Sequence, residues 1–217
     1  MTEQLPLPLP AREALGREDY LVTEATAPVL AALDGWRGWP GAKALLIGAP
    51  GAGKSHLARV WAASSGALVV PAAEVTEEAA PRLAAGPLAV EDLDRAPRAG
   101  TALFHLHNLM AQAGAPLLMT ARGAPGIWAG ALPDLASRAA QALAIPLPPP
   151  DDALLAALAA KQFADRGVAP DPRVLAWLTT HTERSAEAIR AAVARLDAAA
   201  LAAKRPITVP LARETLR

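Results

Sequence analysis

Residues 44–58 read ALLIGAPGAGKSHLA, an apolar run that halts at a glycine-rich loop and resumes as a helix. Within it, Gly48-Ala49-Pro50-Gly51-Ala52-Gly53-Lys54-Ser55 matches the phosphate-loop pattern G-x-x-x-x-G-K-[ST] in full. The glycines let backbone N–H groups wrap a phosphate chain, and the helix that opens there adds positive potential. Lys54 is expected to reach the β- and γ-phosphates and Ser55 to hold Mg²⁺, with His56 in the first turn beside them. The strand before the loop and the helix after it are the context that this chemistry requires.

Outward from the loop, four more short apolar runs recur: Ala67–Pro71, Leu88–Asp92, Pro116–Ala121 and Ala144–Leu147. They lack polar alternation, as strands buried on both faces do, and helix-like stretches separate them. That pattern predicts an α/β fold, a doubly wound five-stranded parallel sheet in an αβα sandwich. PLPPP (146–150) ends the alternation, and the rest reads as a small helical lid. Asp151 or Asp152 caps a first lid helix that runs to Arg166, with Gly167 at its end. Asp171-Pro172 starts a second and Ser185 a third, and ITVP (207–210) reads as a short extended piece before a last turn. The expected organisation is a tail at 1–14, a nucleotide domain at 15–148 and a lid at 149–217.

Lys+Arg and Asp+Glu both total 21, which argues against a chain whose main task is to coat nucleic acid. The chain has no cysteine, so disulfides and thiolate metal sites are excluded. No leader pattern and no apolar run of about eighteen residues is present, so a soluble cytoplasmic protein is expected, with no membrane partner.

The Mg²⁺ partner of a phosphate loop is an acid at the end of a neighbouring buried strand. LAVED supplies Glu91, expected to assist the metal through water, and Asp92, expected to orient an attacking water. The usual order is Asp then Glu, so the second carboxylate here is one carbon shorter. Thr120 ends the PLLMT run, placed either to sense a γ-phosphate or to face solvent. Arg138, in PDLASRAA, is either a surface arginine or one that completes a neighbouring subunit's site. His105 and His107 lie two apart in a helix-like stretch, so they point to different faces and cannot share a metal. The lid carries ten Lys/Arg against six Asp/Glu over 153–217, a mild excess that a solvated helix face explains.

The first ten residues, MTEQLPLPLP, place Leu5, Leu7 and Leu9 between Pro6, Pro8 and Pro10. Such a segment is extended, because proline fixes φ and donates no hydrogen bond. It reads either as a proline-rich start without a partner or as a docking peptide.

Taken together, GAPGAGKSHLA (48–58), ALFHLHNLM (102–110), LLMTAR (117–122), LPDLASR (132–138), FADRG (163–167) and KRPITVPLARETL (204–216) resemble the DnaA-related branch of the AAA+ ATPases. Within that branch the chain is most similar to the Hda family. The resemblance implies that Gln4-Leu5-Pro6-Leu7-Pro8-Leu9 is a hexapeptide for the DNA polymerase III sliding clamp. Gln4 would enter a polar subsite, and Leu5, Leu7 and Leu9 an apolar groove. It implies that Arg138 is an arginine finger and Thr120 the sensor I residue. It also implies ADP or ATP as ligand, bound at Gly48, Pro50, Gly51, Ala52, Gly53, Lys54, Ser55 and His56, with an adenine pocket near Asp19, Tyr20 and Leu21.

One departure stands out: Glu187 falls where the family has its sensor II arginine, and Arg184 or Arg190 lies one turn away. An acid near the phosphates disfavours a triphosphate, which makes ADP the expected resident. The implied function is a regulatory adaptor that docks on the DNA-loaded clamp, at the nucleoid, and promotes hydrolysis of DnaA-bound ATP. That would restrain replication initiation, with weak or no ATPase activity of its own and no direct sequence-specific DNA binding. The resemblance also admits a homo-oligomer. The alternatives are an independent ATPase of the helicase-loader kind, or a clamp-binding module that nucleotide merely stabilises.

Overall fold

The computed structural model describes residues 16–96, 99–128 and 133–216. The tail with Gln4, Leu5, Leu7 and Leu9 lies outside them. Five strands form one parallel sheet: β1 (Lys43–Ile47), β2 (Leu68–Pro71), β3 (Leu88–Glu91), β4 (Leu117–Ala121) and β5 (Leu143–Pro146). Their order is β2-β3-β4-β1-β5, which puts β1 and its following loop between β4 and β5. Lys43 pairs with Leu117 and Ile47 with Ala121, so the C-terminal ends of β1 and β4 finish level with each other. All five lie where the apolar runs predict.

The expectation of burial on both faces holds for β1, β3 and β4 but not at the sheet edges. Leu68 on edge strand β2 is 57% exposed, because that strand has a neighbour on one side only.

Helices α1 (Ala27–Asp34), α2 (Lys54–Ser65), α3 (Ala80–Leu83), α4 (Gly100–Ala113), α5 (Pro125–Trp128) and α6 (Pro133–Ala140) belong with the sheet. Alternation along each strand splits the core into two layers. Leu45, Val90 and Met119 face one layer with Leu103, Leu106 and Met110 of α4 and Leu135 of α6. Ala44, Leu46, Ala89 and Leu118 face the other with Leu30 of α1 and Leu57 and Trp61 of α2, where Trp61 stacks on Trp39. The helices on each face are what the parallel connections require, since every crossover must carry the chain back to the end of the sheet where the next strand starts.

The lid consists of α7 (Asp152–Ala164), α8 (Pro172–His181), α9 (Ala186–Ala203) and α10 (Val209–Thr215). Each starts as its cap dictates. Asp151 accepts from the Leu154 amide at 2.7 Å, Asp171 from Arg173 at 2.8 Å, and Ser185 from Ala188 at 3.0 Å. The fourth cap corrects the reading of ITVP. Thr208 accepts from the Leu211 amide, so Val209 and Pro210 sit in the first turn of α10, where proline loses no helical bond. The lid has its own apolar core of Leu155, Phe163, Val174, Leu178, Ile189, Val193, Leu196 and Leu211. No helix among the described residues is long and apolar enough to cross a membrane.

Candidate nucleotide site

β1 delivers the phosphate loop and α2 carries it away. Gly48 holds its start by donating to the Ala121 carbonyl of β4 at 3.2 Å. Two turns of the loop need left-handed backbone: Gly51 at φ +69 and Gly53 at φ +103, values a side chain would strain. Gly53 is also the N-cap of α2, and no side chain bonds the helix N-terminus. The first amides of a twelve-residue helix therefore point into the loop as donors for an anion.

A cavity of about 370 Å³ opens over this loop. Lys54, Arg59, Arg95, Arg122 and Arg190 line it with Ser55 and His56, against the carboxylates of Asp92 and Glu187. Cations outnumber acids, which suits a chain of phosphates. Lys54 is buried at 6% exposure and donates from Nζ to the Gly48 and Ala49 carbonyls at 2.8 and 2.9 Å. Burial pushes its pKa down, and the nearby Asp92 and Asp94 carboxylates pull it back.

The acids divide their work differently from one another. Asp92 takes left-handed backbone just after β3, and its amide donates to the Thr120 hydroxyl at 3.0 Å. Thr120 is fully buried, so of its two readings the solvent-facing one does not describe this fold. Its hydroxyl fixes the backbone of Asp92, whose carboxylate lines the cavity and meets Arg95 at 3.4 Å. Asp94 accepts from the backbone amide of Arg122 at 3.1 Å and pairs with its guanidinium at 3.3 Å, tying β3 to β4 at the cavity floor. Glu91 has one carboxylate oxygen buried without a hydrogen-bond partner. A buried acceptor left open is costly, but Glu91 does not line the cavity, whereas Asp92 beside it does. The cations of the lining fit a nucleoside polyphosphate, and Ser55 and Asp92 are the lining groups on the side where its metal would sit. Among the described residues no group of three or more His, Asp or Glu could hold a metal by itself.

The lid closes one side of the cavity. The Ala186 amide, at the start of α9, donates to the Gly51 carbonyl at 3.2 Å. Ser185 packs so closely on Gly51 that a Cβ there would lie 2.3 Å from the serine Cβ. Ala186, Glu187 and Arg190 then fall on one face of α9, toward the cavity. Of the two arginines considered for that helix, Arg190 reaches the cavity. Arg184 is bonded to Asp152 at 2.6 Å and to the Pro150 carbonyl at 3.3 Å, outside the lining.

Tyr20 stands edge-on to His56, with ring centroids 5.2 Å apart, and its ring lies beside Gly53. His56 Nε2 donates to the Gly16 carbonyl at 3.1 Å. Leu21 is half-buried next to Tyr20, and neither of the two lines the cavity. Arg59 and Arg95 escaped the sequence reading. Arg59 follows Ser55 by four residues on α2, a spacing that puts both on one helix face and was a usable signal.

Arg138 stands apart from the cavity. It lies on α6, where its guanidinium donates to Asn108 Oδ1 at 2.5 Å and sits 5.0 Å from the Phe104 ring centroid. His107, on the same helix as those two, is buried and neither ring nitrogen has a partner. It lies among the core residues of α4, Leu103, Leu106 and Met110.

Comparison with known proteins bears on the fold and on the lid. Residues 151–216 match the family model described as "Hda, lid domain". No curated protein matches the chain. Among solved structures, domain III of the Thermotoga maritima replication initiation protein DnaA superposes with a TM-score of 0.78 at 18% identity, over 96% of this chain and 98% of that one. AMPPCP-bound DnaA from Aquifex aeolicus gives 0.69 at 14% identity, over 83% of this chain and 64% of that one. A point mutant of Thermotoga maritima RuvB gives 0.72 at 16% identity, over 88% of this chain and 68% of that one. At these identities the structural likeness establishes the fold alone.

Proposed function

We propose that this chain, an Hda/DnaA-related AAA+ protein, is a nucleotide-loaded regulator that promotes hydrolysis of ATP bound to DnaA while docked on the sliding clamp. The observation that carries the reading is the place of Arg138. An ordered arginine that does not line its own chain's phosphate cavity is available to a neighbour's. Such a group stabilises charge that develops on a transferring phosphoryl, the largest contribution a second protein can make to that reaction.

The chain's own nucleotide then has a structural role. Its phosphates would occupy the loop, Lys54 and Arg190 would hold them, and the amide of Ala186 keeps the lid seated on Gly51. Mg²⁺ would supply charge neutralisation at Ser55 and Asp92. Glu187 in the lining favours the lower charge of ADP over ATP. Clamp docking falls to Gln4, Leu5, Leu7 and Leu9.

The test is single-turnover hydrolysis of DnaA-bound ATP with and without DNA-loaded clamp. Acceleration that needs the clamp, and is lost on deleting residues 4–9 or in Arg138→Ala, is the expected result. Turnover by the chain alone, abolished in Asp92→Asn, would instead mark an independent ATPase, a reading favoured only by Asp92 lining the cavity.

A further inference from the structure

Seven of the described arginines pair with carboxylates, among them Arg17 with Asp34, Arg122 with Asp94, Arg166 with Asp197, Arg184 with Asp152 and Arg205 with Glu214. Arg138 is held differently. Its edge donates to the neutral amide oxygen of Asn108, and its face lies over the neutral ring of Phe104. Phe104 and Asn108 are four residues apart on α4, so they present one ridge one turn long, against which α6 lays the guanidinium.

We infer that Phe104 and Asn108 are positioning residues that pre-orient Arg138 for a partner's phosphates, a role that rests on the trans-acting reading of Arg138 above. The physical case has two parts. A long arginine side chain that must be ordered to meet a transferring phosphoryl loses much of its rotamer freedom in the transition state, and a tether made beforehand removes that cost. The tether must also leave the charge intact. A carboxylate would neutralise the guanidinium, whereas an amide oxygen and an aromatic face fix it without cancelling it. Asn108 takes one of the five N–H donors of the group, and the rest stay available for an anion. Lys43, whose pKa burial and the Arg138 charge both lower, adds like charge on the same side. The site is electrostatically hungry for an anion, and no described carboxylate supplies one to Arg138.

Two measurements on the full chain test the assignment. In the first, the Nη–Hη resonances of Arg138 are followed by nitrogen-15 NMR in the free protein. A shifted, slowly exchanging signal that merges with the bulk arginines in Asn108→Ala is expected. A signal already averaged in the wild type would overturn the tether.

In the second, single-turnover hydrolysis of DnaA-bound ATP is measured as a double-mutant cycle. Asn108→Ala should lower the maximal rate about five-fold, the worth of one ordered side chain. The half-saturating concentration should not change, and Phe104→Leu should act in the same direction. In an Arg138→Ala background, Asn108→Ala should have no further effect. An equal fold-loss in both backgrounds would make Asn108 merely structural and overturn the proposal. Full activity of Arg138→Ala alone would remove the trans-acting reading, and the positioning role with it, while the NMR signature persisted.

Discussion

His107 offers a test of the core that needs no ligand or partner. It lies on α4 at 3% exposure, with neither ring nitrogen hydrogen-bonded. Burial holds its pKa down to about 4, and the positive charges of Lys43 and Arg138 push in the same direction. In the unfolded chain the imidazole titrates near its ordinary 6.5, so between those values the unfolded state binds a proton that the folded state refuses. Stability from this group is therefore complete above 6.5 and is lost as the pH falls toward 4. At about 1.36 kcal/mol per pH unit the whole window is worth ~3 kcal/mol, of which ~2 kcal/mol is gone by about pH 5.

The perturbation is His107→Met, which keeps the volume and removes the titration. Urea denaturation followed by tryptophan fluorescence at pH 7.5, 6 and 5 reads it out for both proteins. Wild type should lose ~2 kcal/mol more than the variant over that range, a difference of about 4–8 °C in Tm. At pH 7.5 the variant should equal or exceed wild type by roughly 1 kcal/mol, because two unpartnered buried polar atoms vanish. Parallel pH curves for the two proteins would refute the reasoning.

Two further outcomes follow from packing. Gly51→Ala puts a Cβ 2.3 Å from Ser185 at φ +69, so the lid must lift from the loop. Titration with a fluorescent ADP analogue should show affinity down at least about ten-fold, and an unchanged Kd would disprove the lid contact. Phe163→Ala empties the centre of the lid core, where the side chain is fully buried. A loss of about 3–5 kcal/mol is expected there, reported by Trp177 fluorescence, and a loss below ~1 kcal/mol would show that the lid collapses to fill the gap.

Where structure is local, it was legible. The five strands are runs of consecutive apolar residues, and the caps at Asp151, Asp171 and Ser185 are single side chains that bond amides two or three residues on. The phosphate loop is equally local, since eight contiguous residues carry its backbone conformation. Thr208 was the local signal that went unread: a threonine three residues before Leu211 is a cap, and its proline pointed to a first turn. Resemblance in scattered segments reached further, to the branch of AAA+ proteins that the lid match and the fold now support.

Relations between distant residues were decided only by the tertiary structure. Thr120 and Asp92 are 28 positions apart, and Arg138 and Asn108 are 30, yet each pair makes one hydrogen bond. Whether Arg184 or Arg190 enters the cavity depended on the rotation of α9, which is set by Ser185 docking against Gly51 from across the chain. Periodicity fixes which residues share a helix face, but only the packing of that helix chooses what the face looks at. The sequence by itself therefore determined which eight residues form the phosphate-loop pattern and where that loop sits between strand and helix. The fold decided which arginines line the cavity over that loop and which one, Arg138, lies outside it.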